Sequence, residues 1–179
     1  MSVPDQDAPL EVMWQGRFIT AQRRGRWEFV SRARGIRAAV ILAVEDGHVL
    51  LVEQYRVPLG RRCLELPAGL IGDEGDADEA AETAAARELE EETGYRASRI
   101  ESLGEFFSSP GMVSESFTLV RATGLTRVSE GGGAGDEDIT VHRVVLTDVT
   151  DFIAVTRAAG VAIDVKLLAL LGAGFLAGA

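Results

Sequence analysis

Two apolar, β-rich runs, residues 38–44 and 48–52, meet across Glu45-Asp46-Gly47. A tight reversal between strands needs positive φ, which Asp and Gly tolerate, so the pair predicts an antiparallel β-hairpin. Further strand-like stretches lie at 63–66, 100–107, 116–122 and 139–146. One strong helical segment, 76–93, interrupts them. Ala80, Ala81, Ala84, Ala85, Ala86 and Leu89 favour it, Asp76 or Asp78 can cap its start, and Gly94 suits the left-handed position past its end. Strands broken by one helix and followed by apolar C-terminal segments predict an α/β chain in which a mixed sheet lies between helices.

The flanks read differently. Residues 1–33 are polar and weakly alternating around Trp14 and Trp27, which predicts one or two edge strands set apart from a main domain at 34–179. The C-terminal stretch 165–179 is apolar with Lys166 as its sole charge, yet it is shorter than the about 18 residues a membrane span needs. A C-terminal helix packed on the core is expected, with Gly172, Gly174 and Gly178 loosening its end and no membrane partner. Ser129-Glu130-Gly131-Gly132-Gly133-Ala134-Gly135-Asp136 reads as a flexible loop.

Charge narrows the partners. Among 179 residues, 18 Lys and Arg stand against 28 Asp and Glu, a net charge of −10, which excludes a nucleic-acid binder relying on bulk positive potential. Cys63 is the only cysteine, so neither an intrachain disulfide nor a multi-cysteine metal site is available. With no basic-then-apolar leader in Met1-Ser2-Val3-Pro4-Asp5, the expected location is the cytoplasm.

The helix carries the chemistry. Arg87-Glu88-Leu89-Glu90-Glu91-Glu92-Thr93-Gly94-Tyr95 puts Glu88 one turn from both Glu91 and Glu92. Like charges at that spacing cost a few tenths of a kcal/mol per pair unless something positive lies among them. Mg²⁺ or Mn²⁺ suits such oxygen donors, and Mg²⁺ draws much of its shell from water and substrate phosphates. Arg87 can pair with a neighbouring carboxylate and fix its rotamer. A solvated acidic face is the alternative that the glutamates alone do not defeat.

Their surroundings do. Glu65-Leu66-Pro67-Ala68-Gly69 before the helix, Glu79 eight positions ahead of Arg87, and the Arg87 to Tyr95 run together resemble the Nudix box of the Nudix hydrolases. One departure lies upstream: Asp73 stands where the box has its first Gly, and Gly69 is the Gly after Pro-Ala, as though about four residues were inserted at 71–75. Trp27-Glu28-Phe29-Val30, Val52-Glu53-Gln54-Tyr55-Arg56, Ser109-Pro110-Gly111 and Asp136-Glu137-Asp138-Ile139 make the chain most similar to the ADP-ribose pyrophosphatase branch, in which a proline follows the box by about fifteen residues, as Pro110 does here.

The resemblance implies the α/β/α Nudix sandwich and Mg²⁺-dependent hydrolysis of ADP-ribose, or a related nucleoside diphosphate sugar, to AMP and ribose 5-phosphate. It implies metal ligation by Glu88, Glu92, the Ala68 carbonyl and Glu91, the last as ligand or ligand-positioner, with Arg87 orienting the carboxylates. It places the general base on the acidic loop, with Glu137 preferred over Asp136, Asp138 or Glu115. Arg56 is expected at the phosphates, Trp27 against adenine, and Pro110 and Glu115 near the substrate. It also implies a homodimer in which the N-terminal strands reach the neighbouring chain. His48 and His142, in apolar strand-like runs, are expected to be hydrogen-bonded structural residues.

Three alternatives stay open on sequence: a related pyrophosphatase acting on GDP-mannose or a dinucleotide, a Nudix-like module that senses a nucleotide without cleaving it, and an acidic Ca²⁺-buffering domain.

Overall fold

The structure, a computed structural model, describes residues 3–72, 79–135 and 137–177. Its centre is the hairpin expected from Asp46-Gly47, where φ is 48° at Asp46 and 70° at Gly47, the paired positive values of a turn that matches strand twist. It joins β4 (Arg37–Glu45) to β5 (His48–Arg56), with Val44 opposite Val49 and Glu45 opposite His48.

Three strands precede it: β1 (Leu10–Gln15), β2 (Ile19–Arg24) and β3 (Trp27–Arg32). They form an antiparallel sheet of their own, one strand more than expected at the upper limit. Its side chains are poorly covered, and Val12, Met13, Trp14, Phe18 and Trp27 are each more than half exposed.

Beyond the hairpin run β6 (Arg61–Glu65), β7 (Ala68–Ile71), α1 (Ala81–Thr93), β8 (Tyr95–Phe107), β9 (Ser116–Arg127), β10 (Thr140–Val145), α2 (Val149–Ala158), β11 (Ala162–Ile163) and α3 (Leu168–Ala177). The main sheet runs β11-β6-β5-β4-β9-β8, with β7 added to β4 and β10 to β5. It is mixed: β4 is parallel to β9 and antiparallel to β7. The short β7 has no strand pattern of its own, and its pairing with Arg37, Ala38, Ala39 and Val40 of β4 makes it a strand.

Both faces of the sheet are covered, which is why β4 reads as an unbroken apolar run rather than an alternating one. Ala39, Ile41 and Ala43 face α1, whose Ala84, Ala85 and Leu89 are fully buried with Val120 and Ala122 of β9. Val40 points the other way, to Leu51, Leu64, Leu66, Ile153 of α2 and Leu171 of α3. This alternation builds the α/β/α sandwich.

Helix α1 ends as expected, with Gly94 at φ 75° donating its amide to the Glu90 carbonyl at 2.9 Å. Its observed start is Ala81, with Ala80 at the cap position making no side-chain cap bond. Asp76 and Asp78, the expected caps, lie outside the described residues, as does Asp73. The apolar tail forms a short turn, Val165–Leu167, and then the ten-residue α3. Among the described residues no helix is long and apolar enough to cross a membrane.

Candidate active site

The chain leaves β6 at Glu65, turns at Pro67 and enters β7 directly beneath the last turns of α1. The amide of Ala68 donates to Oε2 of Glu92 at 3.0 Å. Glu92 is only 5% exposed. Burial pushes its pKa up to about 8, the nearby Glu88 and Glu137 charges push the same way, and the Ala68 amide and Arg56 oppose them without winning.

Glu88 stands one turn back and accepts from Arg87 Nη1 at 2.8 Å. Only glycine fits beneath it, because a Cβ on Gly69 would lie 1.9 Å from Cδ of Glu88. Arg87 also reaches the Leu70 carbonyl at 3.3 Å, with Glu91 at 3.7 Å and Glu79 at 3.9 Å. Glu79 in turn accepts the Gly72 amide at 2.8 Å. Arg87 thus ties the helix to the strand below and fixes the carboxylates from behind.

The glycine-rich segment expected to be a flexible loop has no helix or strand among its described residues, and it is docked on the end of α1. Gly132 donates its amide to the Glu92 carbonyl at 2.8 Å, and Gly133 donates to the Glu91 carbonyl at 3.0 Å. Both acceptors belong to the last turn of α1, whose carbonyls have no partners within the helix. Glycine is required for the approach: at Gly131, with φ 68°, a Cβ would come within 2.4 Å of the Thr93 carbonyl carbon. The loop then carries Glu137 into the cleft, where its Oε2 accepts the Ala134 amide at 3.0 Å.

A cleft of about 390 Å³ is lined by Glu88, Glu92 and Glu137 together with Arg32, Arg56 and Lys166. Arg56 holds Glu65 in a two-point pair, Nε to Oε1 at 2.6 Å and Nη2 to Oε2 at 2.8 Å, with the Glu65 side chain 6% exposed. Arg32, from the end of β3, pairs with Glu115, and Lys166 pairs with Asp164 at 2.7 Å. Each of these cations has its own carboxylate, and on the helix side Glu88 is paired with Arg87 while Glu92 and Glu137 accept backbone amides.

Of the residues expected from sequence, Ala68, Glu88, Glu92, Arg56, Glu115 and Glu137 line the cleft. Glu91 does not; its side chain is 39% exposed beside Arg87. Trp27 is 56% exposed on β3 and away from the lining. Pro110 lies in an exposed turn stitched to β3 by the Val30 amide on the Met112 carbonyl and the Ser114 amide on the Val30 carbonyl, each at 3.0 Å. Asp138 is held by Arg62 at 2.9 Å, and Asp136 lies outside the described residues. His48 Nδ1 lies 2.7 Å from the Asp46 carbonyl oxygen, as expected of a hydrogen-bonded residue, whereas His142 packs on Phe152 and its buried Nε2, 3.4 Å from Glu53, makes no hydrogen bond among the described residues.

Sequence reasoning missed Arg32, Glu65 and Lys166. Nothing local distinguishes Arg32, whereas Lys166 carried a signal as the lone charge of an apolar tail and Glu65 lay inside the quoted motif.

Among the described residues no three His, Cys, Asp or Glu side chains gather closely enough to hold an ion unaided. The donors nevertheless fit a hard divalent cation, which needs few carboxylates when phosphate and water complete its shell. Glu92 in particular is a buried carboxyl that only added positive charge would keep ionised at neutral pH.

Comparison with known proteins matches a family model, the NUDIX domain, to residues 33–169. The chain is similar to ADP-ribose pyrophosphatase of Bacillus subtilis, 36% identical over 111 residues, covering 62% of this chain and 58% of that one. It is 44% identical over 92 residues to ADP-ribose pyrophosphatase of Mycobacterium tuberculosis, covering 51% and 43%. It is 34% identical over 148 residues to GDP-mannose pyrophosphatase of Cronobacter sakazakii, covering 77% and 72%. The chain thus spans about half the length of most of these relatives. A solved structure described as an ADP compounds hydrolase superposes with a TM-score of 0.66 at 25% identity, covering 82% of this chain and 80% of that one.

Proposed function

The chain belongs to the NUDIX domain family, and from that premise we propose that it hydrolyses the pyrophosphate bond of ADP-ribose or a closely related nucleoside diphosphate sugar, with Mg²⁺, giving AMP and ribose 5-phosphate. The observation that carries this reading is a single cleft lined both by buried Glu92 with Glu88 and Glu137 and by the cations Arg56, Arg32 and Lys166. Such a lining suits a diphosphate, whose charge the cations and a bound metal ion would share.

Glu88, Glu92 and the Ala68 carbonyl would hold the cation, with Glu91 in support and Arg87 fixing their rotamers. When bound, the cation supplies charge neutralisation and a lowered water pKa. Arg56 offers a planar fork to the phosphates. Its pairing with Glu65 keeps the fork oriented before substrate arrives, so less ordering entropy is lost on binding. Glu137 is the base that takes the proton from the attacking water.

Exposed apolar side chains on the N-terminal sheet, with Trp14 at 57% and Trp27 at 56%, support a homodimer that covers them and turns Trp27 toward the neighbour's substrate. Sedimentation at micromolar concentration checks this, and a monomer counts against it. The lone buried Cys63 thiol suits a reducing compartment, and the cytoplasm is the location we assign.

The similarity to a GDP-mannose pyrophosphatase over 77% of the chain favours GDP-mannose as the second substrate to test. The experiment is a panel of ADP-ribose, GDP-mannose, a dinucleoside diphosphate and ATP with Mg²⁺, scored for released nucleoside monophosphate. AMP from ADP-ribose at the highest kcat/KM supports the reading; turnover of ATP alone, or of none, refutes it.

A further inference from the structure

We propose that Arg62 is a positioning residue whose guanidinium latches the exit of the loop carrying Glu137 to the sheet and so sets where that carboxylate stands in the cleft. The inference rests on the reading of Glu137 as base given above.

Arg62 lies on β6, outside the cleft lining. Its Nε donates to Glu53 Oε1 at 2.6 Å and Nη2 to the Glu53 carbonyl at 2.8 Å, which fixes the group on β5. The remaining edge of the fork faces the loop: Nη1 donates to Asp138 Oδ2 at 2.9 Å, and Nη2 donates to the Thr140 hydroxyl at 3.0 Å. The Asp138 carbonyl is a longer contact at 3.4 Å. One guanidinium therefore joins β5, the root of β10 and the residue next to Glu137.

These contacts add little to the sheet itself. Backbone ladders already join β6 to β5, with Arg62 opposite Tyr55, and β10 to β5, with Thr140 opposite Glu53. What no ladder supplies is a hold on Asp138. The loop's entry is clamped by the Gly132 and Gly133 amides on α1. At its exit the Ile139 amide donates to the Gly132 carbonyl at 3.3 Å and Ile139 is buried, while Arg62 supplies the side-chain hold on Asp138, the residue next to Glu137.

Magnitude decides which partner matters. The Asp138 side chain is 83% exposed, and an isolated surface pair of that kind contributes little. A fork held at two points on Glu53 is pre-ordered, which removes much of the entropy that weakens surface pairs. Lysine, a single point charge, cannot hold Glu53 and the loop together.

The test uses the full chain with Arg62→Met, Arg62→Lys and Asp138→Ala, the last breaking the latch from its exposed side without touching the sheet. Amide exchange at Gly132, Gly133, Glu137 and Ile139 is expected to quicken about tenfold in Arg62→Met and Asp138→Ala while Ile41 and Leu89 stay protected. With ADP-ribose and Mg²⁺, kcat is expected to fall roughly 10–100-fold with KM within about threefold, as for a base displaced by about an ångström. Arg62→Lys should recover only part of the loss.

In a Glu137→Gln background, Arg62→Met should cost nothing more, because the group it positions is gone. Unchanged loop exchange overturns the latch. A loss that multiplies in full onto Glu137→Gln overturns the positioning role. A wild-type protein without turnover on any diphosphate sugar overturns the hydrolase reading and the positioning role together, while the exchange result still decides the latch.

Discussion

The amide of Ala68 and the carboxylate of Glu92 meet at 3.0 Å, so one hydrogen bond couples the strand after the Pro67 turn to the deepest acid of the helix. That acid is 5% exposed and faces two other carboxylates. Its energetics depend on what positive charge comes to it.

In chelator, the folded protein holds a proton on Glu92 up to a pKa of about 8, whereas the unfolded chain releases it near 4.5. Between those values the folded state binds the extra proton. Stability is therefore greatest below the lower value and falls as pH rises through the upper one. Thermal unfolding of the metal-free protein should show this decline, and Glu92→Gln should flatten it. An equal slope in both proteins argues against the buried carboxyl.

Gly69→Ala would bring a methyl within 1.9 Å of Cδ of Glu88. The side chain has to move, and a displacement of about an ångström in a ligand costs roughly 10²-fold in rate. The melting temperature should fall as well, because the displaced Glu88 gives up its bond to Arg87. Wild-type kcat in this variant would remove Glu88 from the site.

Arg56→Met leaves Glu65, with its side chain 6% exposed, without its two-point partner. Allowing for the 42% exposure of Arg56, destabilisation of about 1–2 kcal/mol is expected, together with a KM for ADP-ribose raised about tenfold or more. Arg56→Met with Glu65→Leu should recover stability and leave KM high. Recovery of both would make the pair purely structural.

Glu137→Gln should lower kcat by roughly 10²–10⁴ with KM within a few-fold, the usual range for loss of a general base. An unchanged rate moves the base to Asp136, Asp138 or Glu115, the last two of which are engaged by Arg62 and Arg32 respectively.

Where sequence and structure agree, the signal was local. Asp46-Gly47 specified its turn through positive φ, and the spacing of Glu88 and Glu92 specified a shared helix face. Where they part, the cause is tertiary. β7 is a strand because β4 lies beside it, and the glycine run that reads as a flexible loop is docked because Gly132 and Gly133 meet open carbonyls at the end of α1. Glu91 reads as equivalent to Glu92, yet the helix turns it toward Arg87 and solvent. Arg32 arrives from a separate sheet, and no local pattern announces that.

The most direct test is Mn²⁺ binding, followed by its electron paramagnetic resonance, to the full chain with a non-hydrolysable ADP-ribose analogue. Tight binding in the wild type, weakened about tenfold or more in Glu92→Gln and in Glu88→Gln, is the predicted result. Equal affinity in all three proteins would contradict the account, because the two carboxylates would then hold no metal against the diphosphate.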